Sequence, residues 1–197
     1  MITMKQKSSS TRLHVATAAL LLSFGVAAAY AQPGQLDMTV SGTAAASAVN
    51  LQSGTPASEY QLAGDGNQGP FTLRVISAGG TPQESTTCSG PMKLSVPVVT
   101  GAAVARFENG DILKINLTAG DDCIDFAANQ ATCTRVFEMT GGTGRFKGAS
   151  GGSGGTITLI MTLMPVLTDD SNTPVFFVVT GVVTGTMWRV PAANGGS

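Results

Sequence analysis

Runs of alternating apolar and polar residues, each about as long as one strand, recur along this chain and most constrain its fold. The clearest is ARFENGDILKINL, residues 105–117, in which Asn109-Gly110 separates two such runs. Asn and Gly tolerate the positive φ of a type I′ turn, so we expect residues 102–108 and 111–117 to pair as a β-hairpin.

Similar runs predict further strands over residues 71–76, 92–100, 133–140, 156–164 and 175–190, with a turn at Asp169-Asp170-Ser171-Asn172. Pro97 lies inside the run 92–100 and indicates an edge strand or a β-bulge there. Residues 41–69 are rich in small side chains and are interpreted as a loop. No stretch has a long 3.6-residue period, so we predict an all-β antiparallel barrel or sandwich of seven to nine strands.

The N-terminus has the pattern of a secretory signal peptide. Lys5, Lys7 and Arg12 precede an apolar run over residues 13–30, and Ala29-Tyr30-Ala31 is a small-x-small cleavage pattern. We therefore expect cleavage near Ala31 and a secreted or periplasmic protein, with an uncleaved membrane anchor as the alternative. The remaining chain is divided into an N-terminal strand and loop (32–69), a barrel domain (70–190) and a flexible tail (191–197).

The charge of residues 32–197 excludes several classes of partner. Cleavage would remove three of the 11 basic residues and none of the 12 acidic residues, leaving a net charge of about −4. Nucleic acids and anionic membranes call for clustered positive charge, so neither is expected as a partner. Insertion of a barrel into a membrane is also not expected, because charged residues interrupt the strands: Arg74, Arg106, Lys114, Arg135 and Glu138.

Few residues of the mature chain are suited to catalysis or to metal binding. The single histidine, His14, lies in the predicted signal peptide, so a Ser-His-Asp arrangement cannot be assembled. Asp121, Asp122 and Asp125 form an acidic loop, but their spacing is not that of an EF-hand, and we interpret them as solvated. No metal or cofactor is predicted.

Three cysteines remain after cleavage: Cys88, Cys123 and Cys133. Cys123 and Cys133 flank a short polar segment between two predicted strands. We expect these two to form a disulfide, since the chain is predicted to be exported. Cys88 would then be a free thiol or an intermolecular partner.

The stretch GGTGRFKGASGGSGG, residues 141–155, matches no phosphate-binding loop. It lacks the Gly-Lys-Ser/Thr of a Walker A motif and the third glycine of a dinucleotide fingerprint. Ser150 and Ser153 each match G-x-S-x-G, a pattern expected by chance in a Gly/Ser-rich stretch. Glycine is needed where φ is positive or where backbones approach closely, so we predict a wide turn that Phe146 pins into one end of the barrel.

This stretch resembles the Gly-Gly-Thr/Ser-Gly-x-Phe-x-Gly-Ala signature of the allene oxide cyclase and dirigent barrel superfamily, most of all its secreted bacterial barrel-like members. The resemblance covers about residues 92–165 and includes FENGDILKINLTAG. It implies an eight-stranded antiparallel β-barrel with an apolar cavity, trimeric in plant relatives. The matching positions would be architectural: Gly141, Gly142, Thr143, Gly144, Phe146, Gly148 and Ala149.

Three functions fit the pattern. The first is a secreted barrel that binds a small hydrophobic molecule. The second is an isomerase, cyclase or dirigent-like enzyme acting on a lipid or phenolic substrate, for which Arg135 and Glu138 are the candidate catalytic residues. The third is a structural barrel filled with side chains. Residues 175–183 are apolar on both strand faces, which favours a homo-oligomer.

Overall fold

The computed structural model describes residues 33–51, 55–85, 88–89, 94–149 and 155–188. The predicted signal peptide (1–31), the predicted tail (191–197), Ser150 and Ser153 lie outside these ranges. In the described ranges, no helix is long and apolar enough to cross a membrane.

The described chain is almost entirely β-structure. Its strands are β1 (Pro33–Ala46), β2 (Ala57–Gly66), β3 (Phe71–Gly79), β4 (Gln83–Glu84), β5 (Leu94–Phe107), β6 (Ile112–Asp125), β7 (Gln130–Gly142), β8 (Thr156–Thr168) and β9 (Pro174–Trp188). One 3-10 turn covers Gly144–Phe146.

Eight of these strands close into an antiparallel β-barrel. The order is β3-β2-β1-β9-β8-β7-β6-β5, and pairing of β3 with β5 completes the ring. The two-residue β4 pairs with the start of β5 as an extra strand. The predicted eight-stranded antiparallel barrel is therefore confirmed. Closure gives every long strand two hydrogen-bonded neighbours and removes exposed sheet edges.

Side-chain alternation separates the barrel interior from its outer surface. On β7, Cys133, Arg135, Phe137 and Met139 are buried, whereas the residues between them are only partly buried. Successive strand residues point to opposite faces, so the period-2 pattern of the sequence places one apolar set in the core.

The loop predicted over residues 41–69 is wrong, because β1 extends to Ala46 and β2 occupies Ala57–Gly66. Both strands belong to the barrel, so the predicted domain boundary at residue 70 is also wrong. The small residues of this region allow close approach of the strands. A Cβ on Gly42 would lie 2.9 Å from the Cα of Leu62 on the neighbouring strand.

The hairpin predicted around Asn109-Gly110 is present, with a different turn. Phe107 N–H donates to the Asp111 carbonyl, and Gly110 N–H donates to the Phe107 carbonyl. Gly110 has φ +87°, whereas Asn109 does not have a positive φ. A type I′ turn needs positive φ at both central residues, so the connection is a three-residue loop that ends in a left-handed glycine.

Two predicted strands, over residues 92–100 and 102–108, form a single strand, β5, within the described residues from 94 onward. Its pairing with β3 shifts register where Ala78 lies opposite Thr100 and Gly79 lies opposite Val98. Val99 is thus an extra residue on β5. The bulge that Pro97 predicts is therefore present, but at Val99, two residues after the proline.

One end of the barrel, the glycine end, is closed by residues 141–149. Gly144 has φ +56°, and a Cβ there would overlap the Asp111 carboxylate. Phe146 is buried, and its ring centroid lies 5.1 Å from that of Phe107. Arg145 Nε lies 3.3 Å from Asp111 Oδ2, and the guanidinium stacks over the Phe107 ring. Over residues 141–149, the described part of the predicted stretch, the glycine-shaped turn pinned by Phe146 is therefore present.

The rest of the motif also has an architectural place at the glycine end. Thr143 N–H donates to the Ile112 carbonyl, while the Thr143 hydroxyl oxygen accepts from Ile112 N–H. Ala149 is buried in the core. Gly141 and Gly148 have positive φ values, which side chains disfavour. At Gly142 the space is limited, since a Cβ would lie 3.2 Å from the Phe146 carbonyl oxygen.

The predicted disulfide between Cys123 and Cys133 is wrong, because Cys123 is bonded to Cys88 and Cys133 is a buried free thiol. The register of β6 and β7 gives the reason. Cys133 lies opposite Asp122, and Cys123 lies opposite Thr132. An offset of one residue places the two cysteines on opposite faces of the sheet, where their sulfurs cannot meet.

This pairing predicts which thiol can be alkylated. Iodoacetamide applied in denaturant without reductant is expected to label Cys133 alone, and peptide mapping should recover Cys88 linked to Cys123. Because the disulfide spans 35 residues, Cys88→Ser should lower the free energy of unfolding by about 2–4 kcal/mol. Labelling of Cys88 in the unreduced protein would contradict the pairing.

The outer faces of β8 and β9 carry an exposed apolar patch. It consists of Ile160, Met164, Val166, Leu167, Phe176, Val178 and Val182. Val179 and Val183 on β9 are buried in the core, so this strand is apolar on both faces, as the sequence indicates. A homo-oligomer that covers the patch stays a prediction.

Candidate ligand-binding site

The two halves of the barrel interior are filled to different degrees. Toward the glycine end, large side chains from the strands leave a cavity of only about 20 Å³. Toward the opposite end, here called the open end, the cavity has a volume of about 290 Å³. The first has room for about one water molecule but only apolar walls, and the second approaches the size of small-molecule pockets.

The open-end cavity has mainly apolar walls. They are formed by Ala44, Val96, Ile124, Phe126, Ala131, Leu163, Pro165, Pro174 and Phe177. Polar groups from β2, β6, β7 and the turn between β6 and β7 also line it, namely Ser58, Tyr60, Asp122, Asp125, Asn129, Gln130 and Cys133. An apolar cavity with a few polar groups is typical of sites that bind small molecules.

A buried polar cluster lies between the two halves of the interior. Arg135 is 1% exposed and stands on β7 between Cys133, which lines the cavity, and Phe137, which belongs to the filled half. Its Nη1 and Nη2 donate to the two carboxylate oxygens of Asp122, the second over 2.9 Å. Nη2 also donates to the Tyr60 hydroxyl over 3.1 Å. We call these residues, with Cys133, the polar floor.

The charges of the polar floor are compensated within it. A buried charge needs a partner and hydrogen bonds, and the bidentate Asp122 contact supplies both to Arg135. Nη1 donates further to the Thr134 carbonyl, and Arg135 Nε alone has no partner in the described part of the chain. Burial would lower the pKa of Arg135, but interactions with Tyr60 and Asp122 raise it above its ordinary value.

Tyr60 and Cys133 stay protonated in the polar floor. Burial raises the pKa of the Tyr60 hydroxyl well above its ordinary value of 10.0, although the nearby Arg135 charge lowers it in part. Burial, together with the Asp122 charge, raises the pKa of the Cys133 thiol well above 9.0. Neither group is a base or a thiolate nucleophile at neutral pH, so both act as neutral hydrogen-bonding groups.

The two candidate catalytic residues lie on opposite sides of the sheet. Arg135 points inward and supports the cavity floor, whereas Glu138 lies three residues further along β7 on the outer face. Glu138 therefore does not face the interior, and the structure contradicts its predicted role in a barrel-interior site. Arg135 and Glu138 are separated by an odd number of positions. Neighbouring strand residues alternate between faces, so the two side chains lie on opposite faces of β7.

The three aspartates of the predicted acidic loop have different hydrogen-bond partners. Asp121 accepts from the Ser95 hydroxyl, Asp122 pairs with Arg135, and Asp125 accepts from two backbone N–H groups of its own turn. In the described ranges, Asp121 lies with Cys88 and Cys123 within 4.8 Å, but those two sulfurs are bonded to each other. The solvated interpretation of Asp121 and Asp122 is wrong, because each bonds a buried side chain, Ser95 and Arg135 respectively.

Comparison with known proteins does not identify a family for this barrel. No family model, curated protein or solved structure matches the chain. Function is therefore inferred from the cavity and its residues.

Sequence reasoning missed three of the four residues of the polar floor. Tyr60 lies in the stretch that its small residues predict to be a loop, Asp122 lies in the predicted solvated loop, and Cys133 is predicted to form a disulfide. One signal was available for Tyr60, which is the only tyrosine of residues 32–197. Its partners are 62 to 75 positions away along the chain, so only closure of the barrel brings them together.

Stability is expected to fall at alkaline pH. The pKa values of Tyr60 and Cys133 are raised in the folded state, so the unfolded chain loses these protons first, from about pH 9. Stability is then fully present below pH 9 and decreases above it, by up to about 1.4 kcal/mol per pH unit for each group.

The measurement is urea unfolding across this pH range, with tyrosinate absorbance followed in parallel. Because Tyr60 is the only tyrosine of residues 32–197, the absorbance reports this group alone and should change only as the barrel unfolds. Tyr60→Phe and Cys133→Ala should each reduce the alkaline slope. Ionisation of Tyr60 near pH 10 in a folded barrel would contradict the prediction.

Proposed function

We propose that this chain is an exported β-barrel protein that binds a small, mainly apolar molecule in the open-end cavity. The carrying observation is the unequal filling of the interior, with cavities of about 20 Å³ and 290 Å³ in the two halves. A purely structural barrel gains stability from a filled interior, and each void costs contacts. A cavity confined to one end, with polar groups at its floor, supports a binding role.

Two sequence interpretations support the same proposal. The predicted signal peptide with cleavage near Ala31 supports export, and the cysteine pair fits an oxidising compartment. The resemblance of residues 141–149 to the allene oxide cyclase and dirigent superfamily agrees with a barrel that holds an apolar molecule. Membership of that superfamily remains a proposal.

The test is ligand capture by the exported protein, residues 32–197, purified without detergent. Native mass spectrometry should find an excess mass that denaturation releases, and N-phenyl-1-naphthylamine should become fluorescent on addition. Ala131 lines the cavity on β7, so Ala131→Trp should remove both signals. Ala102→Trp, at an exposed position on β5, is the matched control and should retain them.

Two results would contradict the proposal. One is a clean apo mass with no dye uptake by the wild-type protein. The other is equal dye binding by Ala131→Trp and the wild type, which would place the dye outside the cavity. The exposed patch on β8 and β9 is a competing dye site, and this pair of variants distinguishes it.

The alternative of an isomerase or cyclase depends on the polar floor. Asp122 is its only carboxylate and is paired with Arg135, while Tyr60 and Cys133 are neutral. The floor therefore offers orientation and hydrogen-bond donation more readily than proton abstraction. Binding is the function that these groups support best.

A further inference from the structure

The polar floor indicates which kind of head group the cavity accepts, provided that the proposed binding function holds. The described residues that line the cavity include two carboxylates, Asp122 and Asp125, and no lysine or arginine. Arg135 belongs to the polar floor but is not part of the lining. The charges of these three groups sum to −1, so a ligand anion would enter surroundings that are already negative.

Arg135 offers no free terminal nitrogen to a ligand carboxylate. Both of its terminal nitrogens are engaged, Nη1 with Asp122 and Thr134 and Nη2 with Asp122 and Tyr60. A ligand carboxylate would have to displace Asp122, which would leave that carboxylate partly buried and unpaired. Breaking a buried ion pair in this way is strongly unfavourable.

Tyr60 and Asp122 remain able to bind a neutral polar group. The Tyr60 oxygen accepts from Arg135, and within the described chain its own proton has no acceptor. The Asp122 carboxylate accepts from Arg135 at both oxygens and from the Cys133 thiol, which leaves a lone pair available. Both residues bond the same nitrogen, Nη2, so their oxygens lie close together at the cavity floor.

A hydroxyl group matches this pair of partners. Its oxygen can accept from Tyr60 O–H, and its proton can be donated to Asp122. An ether oxygen can use only the first contact, and a carboxylate meets Asp122 with a like charge. We propose that the open-end cavity selects apolar molecules whose polar end is an uncharged hydrogen-bond donor and acceptor, such as an aliphatic alcohol, and that it rejects carboxylates.

The test is displacement of N-phenyl-1-naphthylamine by decanol, methyl decyl ether and decanoate at neutral pH. These compounds share one alkyl chain and differ in the head group. Decanol is expected to displace the dye at a concentration about tenfold lower than decanoate, which corresponds to about 1.4 kcal/mol. The ether should fall between them. Equal or tighter binding of decanoate would overturn the proposal.

Two variants test the assignment to Tyr60 and Asp122. Tyr60→Phe keeps the ring and removes the donor, so decanol affinity should fall about fivefold to tenfold, in line with one lost hydrogen bond. Ser41→Ala removes a hydroxyl at an exposed position on β1, outside the cavity lining, and as the control it should leave decanol affinity unchanged. Unchanged decanol affinity in Tyr60→Phe would overturn the assignment.

Asp122→Asn tests the charge argument directly. It removes the carboxylate that occupies Arg135, so decanoate should bind more tightly and decanol more weakly than in the wild type. If this variant does not fold, Tyr60→Phe and the wild-type series still decide the proposal. Failure of the dye to bind at all would defeat the proposed binding function, whereas equal displacement by all three compounds would defeat only the selectivity.

Discussion

Replacing Arg135 with alanine is expected to lower the free energy of unfolding by about 3–5 kcal/mol. The side chain is 1% exposed and holds both Asp122 and Tyr60. Its removal leaves a partly buried carboxylate without its counter-charge and a buried hydroxyl without its donor. Urea unfolding followed by circular dichroism measures the loss.

Controls for Arg135→Ala separate the ion pair from other effects. Glu138→Gln changes a charge on the outer face of the same strand and should alter stability by less than about 0.5 kcal/mol. Replacing the pair together, Arg135→Met with Asp122→Leu, should recover most of the stability, since apolar residues of similar volume can substitute for a buried ion pair. A loss below about 1 kcal/mol in Arg135→Ala would show that Asp122 is well solvated without its partner.

Replacing Phe146 with alanine is expected to cost about 3–5 kcal/mol, the range for deletion of a buried aromatic ring. Phe146 is 2% exposed, and its ring packs on Phe107 and lies beneath the Arg145 guanidinium at 5.0 Å. Loss of the ring would open a cavity at the glycine end and release the turn that closes it. Chemical denaturation of residues 32–197 provides the measurement.

The matched control for Phe146→Ala is Phe126→Ala at the open end. Phe126 is 55% exposed, so its replacement should change stability by less than about 0.5 kcal/mol. The cavity at the open end is far from the glycine end in the barrel, so dye binding by folded Phe146→Ala should persist. A cost equal to that of Phe126→Ala would mean that Phe146 does not pin the turn.

The barrel architecture was largely predictable because its determinants are local. Alternation in the runs of β3, β7 and β8 and the turn residues at Asn109-Gly110 and Asp169–Asn172 act within a few positions of one another. Asp169 illustrates this, since it accepts hydrogen bonds from Ser171 and Thr173 in its own turn. The end of β1 and the whole of β2 were missed because the alanines, glycines and serines there lack the β-branched and aromatic pattern of strands.

The polar floor was less predictable because its members come from three strands. Tyr60 and Arg135 are 75 positions apart, and no spacing rule relates them. Whether a charged strand residue points inward depends on register. Sequence alone did not distinguish Arg135 from Glu138 for this reason, although both lie on β7.

The amino-acid sequence by itself determined an all-β antiparallel fold and the glycine turn anchored by Phe146, because alternation and the φ requirements of glycine are properties of neighbouring residues. Only the tertiary structure decided the disulfide partner of Cys123, the inward face of β7 and the unequal filling of the interior. These depend on strand register and on which side chains meet across a closed barrel. A shift of one residue in register would exchange the two faces of a strand, so no local pattern can specify them.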